Sequence, residues 1–229
     1  GDDLDWAQEL GFTKFKITNP SHYSEGDAGI KAVITHVAQA RERVGIDRDL
    51  MINPVMSYNV EFALRLLEEL KPYNLRWLEE PLVPTDSDGL AHLRRSAPWV
   101  AIAAGEDHHG RHAFLDLVEK RAVDILQPDF TWGGGMTEAW KAHTIGEMAG
   151  MATIPHGGAN NPFGQHFAMA ATESPMAEYW MGSDPGVPLD ETVRIPGTVV
   201  PVNGTVIPSN EPGFGMQFEP SDISDWGAN

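Results

Sequence analysis

Six polar or ionisable residues close successive apolar runs of this chain: Asn53, Glu79, Glu106, Asp129, His156 and Glu178. Their gaps are 26, 27, 23, 27 and 22 residues, about the length of one strand plus one helix. Where parallel strands all end at one face, residues so spaced converge into one ring, although the chain separates them widely. Oxygen donors of this kind suit a hard cation. Asn53, Glu79 and Glu106 can offer Mg²⁺ an amide and two carboxylate oxygens and leave coordination positions for water or substrate. Singly, each carboxylate reads equally as a helix cap or an ion-pair partner; three in successive units favour a metal.

His156 follows Pro155 and precedes Gly157-Gly158, a loop able to approach a ligand closely. Asp129 ends the preceding run, so neighbouring strands bring the two together as an acid/base dyad in which the carboxylate fixes the imidazole tautomer. Glu178, one run further, is expected to hold a substrate oxygen, or to donate a proton if its pKa is raised; its structural alternative is a salt bridge. Trp132 walls the pocket or packs as an ordinary aromatic. The segment His108-His109-Gly110-Arg111-His112 could ligate zinc, but histidines at a loop-to-helix turn are ordinarily structural.

The elements that position these residues follow from periodicity. Seven short apolar runs, at 15–18, 50–53, 75–79, 101–106, 123–129, 151–156 and 176–180, read as strands. Helical patterns fill the intervals at 26–44, 59–70, 86–96, 110–120, 135–149 and 161–172. In the second of these Val60, Ala63, Leu64, Leu67 and Leu70 share a face. The fold class is α/β, a (β/α) barrel over residues 1–182. Residues 183–229, rich in Pro, Gly and Asn, form a C-terminal segment packing outside the barrel or with a further domain. An open nucleotide-binding sheet is disfavoured, because the only Gly cluster, 133–135, comes late and lacks a phosphate-binding Lys.

The bulk properties exclude other classes. At 229 residues, with 41% hydrophobic and 21% charged residues, the chain has the composition of a folded domain. A net charge of -17 without a basic stripe argues against nucleic acid. No run approaches the length of a membrane span, and the absence of Cys suits a reducing cytoplasm.

The stretches RWLEEPL (76–82), AAGEDHHG (103–110), DILQPDFTWGGGMTE (124–138), TIPHGG (153–158), PMAEYW (175–180) and GTVIPSNEPGFGM (204–216) together resemble the mandelate racemase branch of the enolase superfamily, and within it the rhamnonate dehydratase-type acid-sugar dehydratases. The resemblance implies a modified barrel, with Glu79 and Glu106 binding Mg²⁺ and His156 and Asp129 as the dyad. Glu178 would touch substrate, and Lys16, Trp132 and His108 complete the set as substrate contacts. It implies removal of the proton alpha to a carboxylate and loss of the beta hydroxyl, giving a 2-keto-3-deoxy acid. An epimerase or aldarate dehydratase on the same scaffold, or an impaired barrel with a binding role, are the alternatives. Homo-oligomeric assembly is expected.

Three departures stand out. Asn53 occupies a position where the family has Asp. Lys14-Phe15-Lys16 resembles a paired-Lys motif, but in a register that would leave Thr18 at the catalytic position, against a two-base racemase. The family's N-terminal capping domain and first barrel strand do not appear, so a stable form is expected to need them, a partner, or both.

Overall fold

The computed structural model describes residues 3–192 and 194–219. Six parallel strands form one sheet in sequence order: β1 Lys14–Thr18, β2 Asp49–Asn53, β3 Trp77–Glu79, β4 Ala101–Ala104, β5 Ile125–Leu126 and β6 Ala152–Thr153. Helices α2 Gly26–Val44, α3 Val60–Leu70, α4 Ser87–Ser96, α5 Gly110–Glu119 and α6 Gly135–Met148 connect consecutive strands, and α7 Pro162–Ala170 follows β6. A short helix that the periodicity did not reveal, α1 Leu4–Glu9, precedes β1; the Asp3 side chain caps it by accepting from the Trp6 amide. Each connection leads to the next strand of the sheet, so all strand C-termini meet at one face.

Period-two alternation sorts the strand residues into two layers. Ile17, Ile52, Leu78, Ile102 and Leu126 face outward and pack with α2 through α5 in the main core. Met51, Trp77, Ala103, Ile125 and Ile154 face inward as a second, smaller cluster. Burying a side chain such as Leu78 contributes about 1.5–3 kcal/mol, and its removal to Ala would cost about 2–5 kcal/mol with the cavity included. In α3 the buried stripe is Phe62, Ala63, Leu66, Leu67 and Leu70. That differs from the expected face: Val60 and Leu64 are only half-buried, because the helix turns its Phe62–Leu66 edge toward the sheet. Asn59 starts the helix by accepting from the Phe62 amide at 2.8 Å, a cap of about 1 kcal/mol.

Two expected strands are cut short and one is absent from the sheet. Pro128 and Pro155 lack the N–H that a ladder needs, so β5 and β6 are brief. Pairing nonetheless continues past them, with the Ile154 and His156 amides donating to Leu126 and Pro128 carbonyls. The seventh run, 176–180, forms no ladder. Its polar groups are met by the turn after β6: the Ala159 amide donates to the Glu178 carbonyl at 2.8 Å, and the Asn160 side chain bonds both backbone groups of Trp180. The sheet is therefore six-stranded rather than seven-stranded, and the outer edge of β1 carries no strand.

Beyond Gly182 the described residues hold one 3₁₀ turn, Leu189–Glu191, and an isolated bridge between Val202 and Thr205. The segment touches the rest of the chain at specific points, as where Gln165 Nε2 donates to the Val199 carbonyl at 2.7 Å. The last ten residues of the expected C-terminal segment, 220–229, lie outside the described ones. Among the described residues, no helix is long and apolar enough to cross a membrane.

Candidate active site

Glu79 is the most enclosed group of the ring. Its strand position points it inward, and its side chain is fully buried. Four N–H groups converge on its two oxygens: Oε1 accepts from Lys16 and, at 2.9 Å, from Asn53 Nδ2. Oε2 accepts from Trp77 Nε1 at 2.8 Å and Gln127 Nε2 at 2.9 Å. A buried carboxylate is tolerable only with such compensation. Lys16 also pairs with Glu178, so one ammonium bridges two carboxylates across the gap beside β1. Burial opposes its charge, but the two carboxylates outweigh burial and hold its pKa above the ordinary lysine value. Lys16 thus remains a cation.

On this strand Thr18 stands level with the ring residue Asn53, and Lys16 one inward position earlier. In the ladder Lys16 pairs with Met51 and Thr18 with Asn53, so both face inward. The long lysine side chain spans the extra distance to the ring.

Glu178 accepts from the Gly157 amide at 3.1 Å. Burial would raise its pKa, but Lys16, the His156 ring and the Gly157 amide together lower it. The ion pair with Lys16 is the salt bridge named as its structural alternative. An ionised Glu178 positions Lys16 and the 157 turn.

Asp129 is fixed on one side only. Its Oδ1 accepts from the Thr131 amide at 2.5 Å, the Thr131 hydroxyl and the Trp132 amide at 3.1 Å. Its Oδ2 is left 3.5 Å from His156 Nδ1, with Glu106 Oε2 3.7 Å from the same nitrogen. The imidazole therefore stands between two carboxylates, its Nδ1 directed at them and its Nε2 on the far side of the ring. Burial raises the pKa of Glu106, and the charges of Glu79 and Glu178 push it the same way while His156 and Lys16 pull it down. Trp132 lies at the rim, its ring 5.8 Å from His156 and its Nε1 donating to the Glu106 carbonyl at 2.6 Å. The Trp132 side chain is half exposed there.

The loops are shaped by unusual backbone. Val55 and Met56 both have positive φ, 50° and 59°, directly after Asn53, a cost that persists only where surroundings enforce it. The Met56 amide donates to the Glu80 carbonyl at 2.7 Å, tying this loop to the end of β3. Glu80, at φ 40°, turns its side chain away from Glu79 and accepts from the Gly105 amide at 2.6 Å. Burial pushes its pKa up to about 8. Gly105 sits at φ +144°, and a Cβ there would come within 2.8 Å of the Gln127 amide nitrogen.

His108 does not join the ring. The turn closed by its amide to the Gly105 carbonyl sends it outward, where it is buried 6.0 Å from the Phe114 ring and burial lowers its pKa. The zinc reading of residues 108–112 finds no support either, since the one potential His/carboxylate metal group among the described residues lies elsewhere. Two contributors were not singled out in the sequence: Trp77 and Gln127. They stand two residues before the strand-closing Glu79 and Asp129, hence on the same inward face, which is the signal that could have found them.

Between β1 and the 176–180 run a cavity of about 500 Å³ opens, lined by Lys16, Met51, Trp77, Ile154, Met176 and Glu178 among others. For a hard divalent cation the test is charge and donor type. Four carboxylates, Glu79, Glu106, Asp129 and Glu178, face one Lys and one His, an excess of buried negative charge that such an ion would offset. By donor type Glu106 and Glu79 would be the ligands, although in this arrangement four N–H groups occupy the two Glu79 oxygens. Asn53 departs from the pattern: its Nδ2 faces Glu79 and its Oδ1 accepts from the Val55 amide at 2.8 Å, so in this arrangement it offers the site N–H rather than oxygen.

A β/α sheet whose strand ends gather carboxylates and a His–Asp pair defines a barrel of the carboxylate-lined, acid/base type. Residues 3–222 match the enolase C-terminal domain-like family, and the chain belongs to it. It is 36% identical over 220 residues to the L-rhamnonate dehydratase of Saccharopolyspora erythraea, covering 94% of this chain and 56% of that protein. The crystal structure of rhamnonate dehydratase from Gibberella zeae complexed with Mg superposes with TM-score 0.85 at 31% identity, over 95% of this chain and 54% of that one. L-Talarate dehydratase from Polaromonas sp. JS666, complexed with Mg and L-glucarate, gives TM-score 0.69 at 28% identity, over 77% of this chain and 45% of that one. The chain thus spans about half the length of the relatives it matches.

Proposed function

We propose that this chain is the catalytic barrel of a Mg²⁺-dependent hydro-lyase that converts an aldonic acid of the L-rhamnonate class to a 2-keto-3-deoxy acid. The observation that carries the reading is His156, its buried Nδ1 lying 3.5 Å from Asp129 and 3.7 Å from Glu106 without a hydrogen bond to either. The similarity to rhamnonate dehydratases supports the substrate class.

In this mechanism Glu79 and Glu106 hold the cation, which when bound supplies positive charge to the substrate carboxylate as the alpha carbon loses its proton. His156 moves the protons. With Nδ1 turned to Asp129, its Nε2 is the nitrogen free to take the alpha proton or to deliver one to the departing beta hydroxyl. Asp129, its Oδ2 3.5 Å from Nδ1, orients the ring. Trp132 shields the ring from one side. Lys16 stays protonated between Glu79 and Glu178 and serves as fixed charge rather than as a second base, which disfavours epimerisation. A homo-oligomer is the proposed assembly.

A second reading rests on Asn53, whose N–H faces Glu79: a barrel with impaired metal binding and a binding role. One assay separates the two. The natural chain is supplied with rhamnonate, lyxonate, mannonate and galactonate, with Mg²⁺ or with chelator, and 2-keto acid is followed. Metal-dependent product from one or two sugars is expected; no product from any, together with undetectable Mg²⁺ binding, would overturn the dehydratase.

A further inference from the structure

A second group of metal-competent side chains lies away from the ring, where the chain enters β6 and the 176–180 run, at the end opposite the strand C-termini. His143 and Glu147, one helical turn apart on α6, and Glu173, just after α7, bring one ligand atom each to within 4.8 Å of one another. Donors around a tetrahedral zinc ion at about 2.1 Å sit about 3.4 Å apart, a spacing that small rotations of the two exposed glutamates reach.

The histidine is prepared for this role. It is 3% exposed, and its ring is held between those of Trp140 at 5.5 Å and Phe167 at 5.6 Å. Its Nδ1 lies 3.1 Å from the hydroxyl of Thr153, a fully buried residue of β6. With Nδ1–H donated to that oxygen, Nε2 carries the lone pair, the arrangement in which a buried partner fixes a ligating imidazole. The position of Glu173 is set by its own backbone, whose carbonyl accepts from the Thr153 amide at 2.9 Å. Thr153 therefore anchors two of the three ligands, one through its side chain and one through its main chain.

We propose that His143, Glu147 and Glu173 form a zinc-class divalent metal site, separate from the Mg²⁺ ligands of the ring. One imidazole with two carboxylates selects a first-row transition ion over Mg²⁺, which prefers oxygen alone. The ion ties the second half of α6 to the segment that leads into the 176–180 run, the part of the wall without ladder bonds. Three protein ligands leave the fourth position to water, and the expected effect of the ion is on stability.

The test is zinc binding by equilibrium dialysis to the natural chain with Mg²⁺ in excess, alongside Glu147→Gln, Glu173→Gln and Thr153→Val. Both glutamates are exposed, so their substitution leaves the core untouched, which melting in chelator checks. The wild type is expected to retain one more zinc ion per chain than the double glutamine variant and to melt higher with zinc than without. Thr153→Val should weaken binding by about 10- to 100-fold, the usual cost of losing a ligand's outer partner. Equal zinc stoichiometry and affinity in wild type and the double variant would overturn the proposal.

Discussion

Replacing Asn53 by Asp should lower stability in chelator and recover most of that loss when metal is added. In the wild type Asn53 Nδ2 donates to Glu79 Oε1 at 2.9 Å. Asn53→Asp keeps the acceptor for the Val55 amide but sets a carboxylate oxygen against Glu79. At an effective dielectric of 20, two unit charges at that distance repel by about 6 kcal/mol before relaxation. Rotation relieves part of this, yet the lost hydrogen bond to a charged group alone is worth about 2 kcal/mol. For a chain of 229 residues, at roughly 2–4 °C per kcal/mol, the variant should melt about 4–8 °C lower in chelator. With Mg²⁺ the gap narrows, because the variant gains more from the ion than the wild type does. A third carboxylate replaces the amide, so affinity should rise by about tenfold or more, equivalent to about 1.4 kcal/mol. At 100 times the dissociation constant, bound ion adds about 2.7 kcal/mol of stability. Thermal melts of both proteins in chelator and in Mg²⁺, with calorimetric titration, give the answer. Equal melting in chelator and unchanged Mg²⁺ affinity would refute both the hydrogen-bond geometry and the assignment of this position to the metal.

Lys16→Met should cost about 3–5 kcal/mol at neutral pH in chelator, since it leaves Glu79 and Glu178 facing each other without their shared cation. The depressed folded pKa of Glu178 means that this stabilisation is present above its unfolded value and fades as pH falls through the folded one. Denaturant melts should therefore show the gap between wild type and variant shrinking below about pH 4.5. Glu80→Gln should show the opposite dependence. With a folded pKa pushed up to about 8 from 4.5, Glu80 takes up a proton on folding throughout that window, so it costs stability as pH rises, by up to about 1.4 kcal/mol per unit. The amide removes this slope, and the variant's advantage in chelator should grow from pH 5 to pH 8; parallel pH profiles would show that Glu80 ionises freely in the fold.

The ring residues were legible because the sequence marks them twice, by a polar residue closing an apolar run and by the recurrence of one strand–helix unit. Asn53, Glu79, Glu106, Asp129 and His156 all satisfy both conditions and share one face of the sheet. The rest depends on features without a periodic trace. Whether Lys16 reaches the ring is decided by side-chain length and by the free edge of β1, not by register alone. The outward turn of His108 follows from the φ of +144° at Gly105, which neighbouring residue types do not reveal. Six-residue α1 is too short for a helical period to show. The 176–180 run has a strand's composition, yet its backbone partners are a turn and the Asn160 side chain, an arrangement that apolar patterning does not distinguish from a ladder.

The central claim is that His156 carries the proton transfers. Its most direct test is turnover of L-rhamnonate by the natural chain and by His156→Asn, in Mg²⁺, with folding checked by melting temperature. The account predicts a loss of about 10²- to 10⁴-fold in kcat with Mg²⁺ affinity retained. A variant that turns over within a few-fold of the wild type would contradict it and move the acid/base role to another residue of the ring.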